Sequence, residues 1–348
     1  MTTLSRLCRI ALALCAALGF GAVQAQTATG DQKRIQEQQE RRIEQPGNNA
    51  PVWREVRSGN EGYTSLKGRE MGVLVQSGGE TWRQIRNGPI TLYGGWLLIA
   101  VALAIAAFFA TKGALKLHEK PTGRLIERFG SLERITHWCV AISFVILAVS
   151  GLVLLFGKHV LLPVIGYTLF AWLSMLAKNL HNFVGPFFIL SLLVMMAVYV
   201  KDNFWSAEDA SWIAKAGGLF TGAHVPSGRF NFGEKSWFWI GVVLLGIAVS
   251  ITGVILLFPN FDQVRSTMQL AAVIHASAGV VFMTLSLGHI YLGTIGVEGA
   301  YQAMRTGYVD EVWGKEHHEL WYRSRKPGMR PQAGGGAVPA GAPRSKHS

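Results

Sequence analysis

Ten histidines occur in the chain, and their placement separates them into two groups. His118, His159, His224, His317, His318 and His347 fall in stretches read as loops or tails, where a solvated imidazole is the default. His137, His181, His275 and His289 fall within long apolar runs or at their edges. An ionisable side chain in hydrocarbon is costly and usually functional. His275 and His289 share one run, fourteen residues apart. On a helix that spacing is about 21 Å along the axis and about 40° around it. One helix therefore presents two imidazoles on nearly one face at two depths. His137 and His181 begin two other runs from opposite sides, so His137 matches His289 in depth and His181 matches His275. Imidazole is a common axial ligand of haem iron, and two haems with two imidazoles each would satisfy all four. One turn beyond these histidines stand Ala141, Gly185, Gly279 and Gly293. Residues i and i+4 share a helix face, so a small residue there clears space for a flat macrocycle.

Rival chemistries use the same residues differently. Intramembrane histidines also serve as hydrogen-bonded contacts between helices, as proton relays or as parts of ion pathways. Transport usually brings carboxylates or broken helices at mid-membrane, and these runs carry no Asp or Glu at their centres. The three cysteines, Cys8, Cys15 and Cys139, form no CxxC or CxxCH. Cysteine-bound zinc, an iron–sulfur cluster and covalently attached haem are therefore unsupported. Arg134 and Lys178 each precede a candidate ligand by three residues. They suit either haem propionates or ordinary snorkelling at the membrane surface.

The elements that must position these residues are membrane spans. Half of the residues are hydrophobic and 16% are charged. Five apolar segments appear at 91–111, 136–156, 180–200, 237–258 and 271–295, each near the ~20 residues that cross hydrocarbon. The fold class expected is an all-α membrane protein: a four-helix dihaem core preceded by one further span. Lys and Arg number six in 112–135, two in 157–179, four in 201–236, one in 259–270 and eight from 296 onward. The positive-inside rule puts the six, four and eight in the cytoplasm. Residues 1–25 read as a cleaved signal peptide, with Arg6 and Arg9, an apolar run and Val23-Gln24-Ala25. The mature N-terminus is then periplasmic and the C-terminus cytoplasmic. A polar periplasmic segment covers 26–90, the span 91–111 follows, and the dihaem domain with its cytoplasmic extension covers 112–326. A disordered tail rich in Gly, Ala, Pro and basic residues covers 327–348. The net charge of +12 follows from this topology, and no nucleic-acid-reading motif accompanies it. Lipid is the expected surrounding.

Five stretches carry a resemblance: LERITHW (132–138), KNLHNFVGP (178–186), GRFNFGEKSWFW (228–239), the His275/His289 spacing and GYVDEVWGKEHHELW (307–321). From about Leu132 to Trp321 the chain resembles the gamma (cytochrome b) subunit of membrane-bound formate dehydrogenase. The first span and the segment before it resemble longer members of that family. The resemblance implies that His137 with His289, and His181 with His275, are axial iron ligands of two b haems. It also implies a quinone beside Asn231 and Gly233, close to His289. Lys235 is a candidate quinone contact or proton donor; from local pattern alone this loop could simply start a helix. The implied partners are a pterin-containing catalytic alpha subunit and an iron–sulfur beta subunit, in the bacterial inner membrane. Electrons from formate would cross from the periplasmic haem to the cytoplasmic one and reach quinone. The chain itself shows no formate-oxidising site and would act as an electron-transfer subunit. Two other readings stay open: a cytochrome b subunit of a membrane hydrogenase or thiosulfate reductase, and a haem-free transporter or anchor.

Overall fold

The computed structural model describes residues 78–215, 217, 225–261 and 263–325, together with positions 36, 37, 40, 54, 57 and 58. The chain divides into two units, Met1–Ser77 and Gly78–Ser348, and the second carries everything below. The signal segment 1–25, nearly all of 26–77, the tail 327–348, and His224 and His347 lie outside the described residues.

Five helices are long and apolar enough to cross a membrane: α1 (Gly78–Lys112), α2 (Ser131–Val160), α3 (Leu162–Asp202), α5 (Phe232–Leu257) and α6 (Arg265–Gly296). The short α4 (Ala207–Ala214) lies between α3 and α5. Long apolar runs become helices in lipid because every backbone N–H and C=O must be satisfied within the segment. Outward-facing Leu103, Ile142, Leu190 and Leu244 are more than half exposed, which suits a lipid-facing surface. Within its most apolar stretch α1 is 6% buried, against 17–28% for the other four. The interior therefore belongs to α2, α3, α5 and α6. On α1, a Cβ on Gly94 would stand 3.2 Å from Val280 and one on Gly95 3.3 Å from Phe156. Small residues there let α1 sit close to its neighbours.

Inside the bundle, Phe188, Leu192, Met195, Phe238, Val242 and Phe282 are buried together. Buried hydroxyls satisfy themselves on their own helices: Ser143 donates to Cys139 O at 2.6 Å, Thr284 to Val280 O at 2.8 Å and Ser286 to Phe282 O at 2.7 Å. The stretch 157–179, expected as a connection, is instead almost wholly helical. Its residues LPVIGYTLFAWLSMLA are apolar and helix-compatible. Gly166, at φ 74° and ψ 172°, breaks the regular path within it, a conformation that glycine adopts without steric cost.

A compact cap follows the last span. Strands β1 (Leu125–Glu127) and β2 (Tyr308–Asp310) pair antiparallel, with Ile126 opposite Val309. Helices α7 (Ala300–Thr306), α8 (Glu311–His317) and α9 (Glu319–Arg325) surround them. Three of the stretches quoted above converge here. Arg128 is 3% exposed and lies between the rings of Phe129, Phe230, Trp313 and Trp321 at 4.8–5.8 Å. It donates to Glu234 at 3.2 Å. Burial, partly offset by Glu234, lowers its guanidinium to about 10. Arg229 donates to Glu133 at 2.7 Å and pairs with Asp202. The reading of His317 and His318 as solvated side chains is corrected. His318 is 1% exposed and its Nδ1–H donates to Gly228 O at 2.9 Å; His317 stacks on Trp313 at 4.9 Å. Burial holds the His318 imidazole well below its usual range, so it stays neutral.

Candidate functional site

The four intramembrane histidines meet in two pairs. His137, on the second turn of α2, faces His289 on α6, with ring centroids 6.3 Å apart and ring planes at 58°. His181 on α3 faces His275 on α6 at 6.0 Å and 74°. The helical spacing explains this, since α6 shows both of its histidines to one side.

The distances bear on chemistry. A metal-bound imidazole nitrogen lies about 2.0–2.1 Å from its ion, and about 1.1 Å separates that nitrogen from its ring centre. Two imidazoles binding one ion from opposite sides therefore hold their centroids about 6.3 Å apart. Both pairs have that separation. Room for a broad ligand exists beside them: a Cβ built at Gly185, Gly279 or Gly293 meets nothing within 4 Å. Among the described residues, no group of three or more His, Cys, Asp or Glu gathers as for a metal ion held by side chains alone. These pairs suit an iron whose other ligands come from a macrocycle.

The two pairs differ in surroundings. His181 Nδ1 lies 2.9 Å from Ser150 Oγ, and His275 Nδ1 lies 3.0 Å from Thr252 Oγ1. His137 Nδ1 is buried without a partner. His289 stacks on Trp237, with centroids 4.8 Å apart and planes at 14°. Midway along α6, seven residues from each of its histidines, Phe282 packs on Phe144 at 4.6 Å and on Trp237 at 5.8 Å. Aromatic rings thus fill the space between the two levels.

The GRFNFGEK loop starts α5. Asn231 Oδ1 accepts from Glu234 N–H at 2.9 Å, and Asn231 N–H donates to Glu234 Oε2 at 2.8 Å. This reciprocal cap fixes where the helix begins, and so where Trp237 stands over His289. A Cβ on Gly233 would be 3.1 Å from the Trp212 ring, so α4 packs against this turn. Lys235 is buried and donates to Asp209 at 2.8 Å and Ser206 at 3.1 Å. Its ammonium is committed to that ion pair. Arg134 donates weakly to Arg305 O at 3.3 Å and keeps a buried Nε without a partner; Lys178 is exposed.

Ser150 and Thr252 escape a search built on histidines. The signal that finds them is an internal echo: AVSGLVLLF at 148–156 on α2 and SITGVILLF at 250–258 on α5. Each copy ends its polar pair in glycine. A Cβ on Gly151 would stand 3.5 Å from His181 Cε1, and one on Gly253 3.3 Å from His275 Cε1. The hydroxyl and the adjacent glycine together seat the imidazole.

Comparison with known proteins bears on this bundle. The family model described as prokaryotic cytochrome b561 matches residues 128–307. The cytochrome b556(fdo) subunit of formate dehydrogenase from Escherichia coli K12 is 33% identical over 202 residues, covering 57% of this chain and 92% of that one. The cytochrome b556(Fdn) subunit of the nitrate-inducible formate dehydrogenase from the same strain is 28% identical over 211 residues, covering 58% and 91%. A formate dehydrogenase cytochrome b556 subunit from Haemophilus influenzae is 26% identical over 201 residues, covering 55% and 79%.

Proposed function

This chain belongs to the prokaryotic cytochrome b561 family, and on that premise we propose that it carries electrons from formate oxidation through two b haems to quinone. It is a multi-pass membrane protein of the kind that forms the cytochrome b subunit of formate dehydrogenase. The observation that carries the finer reading is the pair of facing imidazoles at each of two levels, 6.3 and 6.0 Å apart, beside glycines with open space. His137 and His289 hold one haem, and His181 and His275 hold the other. When bound, these groups supply one-electron carriers at two depths of the membrane.

The chain's own residues do the positioning. Helix α6 fixes both ligand levels on one rigid element. Phe282, Phe144 and Trp237 exclude lipid and water from the space between them. The Asn231 cap and Gly233, tight against Trp212, set the turn beside which quinone binds, one helical turn ahead of the Trp237–His289 stack. The Lys and Arg bias supports placing His137, His289 and the cap on the cytoplasmic side, with His181 and His275 toward the periplasm. The donor is an iron–sulfur subunit on the periplasmic side, itself supplied by a pterin-containing subunit that oxidises formate. No formate chemistry is assigned to this chain.

Haem content and reduced-minus-oxidised spectra of wild type and of four single His→Ala variants test this. Two b-type haems per chain are expected, with one lost or perturbed in each variant. A preparation with no haem overturns the reading; one haem per chain overturns the pairing.

A further inference from the structure

A hydroxyl has one hydrogen, and that limits what Ser150 and Thr252 can do. Ser150 Oγ lies 2.8 Å from Ile146 O and 3.1 Å from Leu147 O. Thr252 Oγ1 lies 2.6 Å from Ala248 O. Two oxygens that close require a hydrogen between them, so each hydroxyl gives its hydrogen to its own helix. Towards the imidazole it acts as an acceptor. The contacts at 2.9 and 3.0 Å are then Nδ1–H of His181 and His275 donating to Ser150 Oγ and Thr252 Oγ1. Both rings therefore keep hydrogen on Nδ1 and a free lone pair on Nε2. Accepting from the far N–H also makes an imidazole a stronger donor to its metal. His137, whose Nδ1 has no partner, lacks this device.

We propose that Ser150 and Thr252 are positioning residues for the His181–His275 haem, fixing the Nδ1–H form of both ligands and lowering that haem's reduction potential. The proposal rests on the two-haem reading above. Better-donating imidazoles favour ferric over ferrous iron, and hydrogen bonding around the ligands is one of the protein's levers on haem potential. The echo of Ser-Gly and Thr-Gly on α2 and α5 gives each ligand of this haem the same support from a neighbouring helix.

The test is redox titration of the purified full complex carrying Ser150→Ala with Thr252→Val, after haem content has been counted. Repeating it with His137→Ala, which leaves only the His181–His275 site intact, assigns the potentials. Two retained haems are expected, with one potential raised and the other unmoved. A tenfold loss of ferric preference is about 59 mV for one electron. Ser150→Thr with Thr252→Ser, which keeps a hydroxyl at both places, is expected to restore the wild-type value. Loss of that one haem in the first variant and its retention in the second supports the same assignment. Two haems with both potentials unchanged, or shifted equally, overturns it while leaving the two-haem reading intact. A wild type without haem overturns both.

Discussion

A charge buried in this protein survives only where a partner is fixed opposite it, and the Lys235–Asp209 pair shows how local that requirement is. The two side chains are 6% and 9% exposed, with Nζ and Oδ2 2.8 Å apart, and Ser206 Oγ accepts a further bond from the same ammonium. Removing one member of such a pair strands the other and costs about 3–5 kcal/mol, whereas replacing both with apolar residues is often neutral. Asp209→Leu is therefore expected to lower the thermal midpoint of the detergent-solubilised protein by several degrees. Asp209→Leu with Lys235→Met is expected to recover most of it. The same double variant separates structure from chemistry. Normal quinone reduction in it removes Lys235 from the list of proton donors, while a folded, haem-replete protein that fails to reduce quinone restores it. Lys235 stood out in the sequence because the loop that carries it, GRFNFGEK, resembles the quinone loop of a known family. Its partner did not, because Asp209 is twenty-six residues away on a different helix and nothing in local spacing links them.

At the scale of elements, the helices matter through the faces they leave bare. Gly185 on α3, and Gly279 and Gly293 on α6, each look into open space one turn beyond a candidate ligand histidine. Gly279→Leu keeps a good helix former in place and fills that space. The expected result is a folded protein that has lost the His181–His275 haem and kept the other, read as half the wild-type haem absorbance. Retention of both haems would show that the opening beside Gly279 is not the cradle. These placements were legible in the sequence because helix geometry is rigid: fourteen residues set both depth and face, and i, i+4 set the neighbour. The cap was not legible. Arg128 and His318 come from separate stretches and become buried only where these meet a third, Arg128 at Glu234 and His318 at Gly228 O, and hydropathy windows read such polar segments as solvent-exposed. The helical character of 162–179 was hidden by the reverse error, because two flanking lysines and Gly166 look like loop punctuation. Ser150 and Thr252 passed unremarked because serine and threonine are common in membrane helices, and the echo that marks them gains meaning only once their contact with histidine is seen.

At the scale of the whole molecule, two histidine levels about 21 Å apart along one helix span most of the hydrocarbon. If His181 and His275 face the side where formate is oxidised, and the cap with His137 and His289 faces the side where quinone takes up protons, each turnover moves two negative charges inward. Each unit charge moved against the field costs about 2.3 kcal/mol per 100 mV, so turnover should build a membrane potential and be slowed by one. The intact complex in sealed liposomes, with quinone in the bilayer and formate added on one side, makes this measurable with a voltage-sensitive dye. The formate side should become positive, and potassium with valinomycin should abolish the signal and speed turnover. Turnover without a voltage would mean that electrons enter and leave at the same face. The two histidine pairs would then not be two stations on one transmembrane path, whatever haem each of them holds.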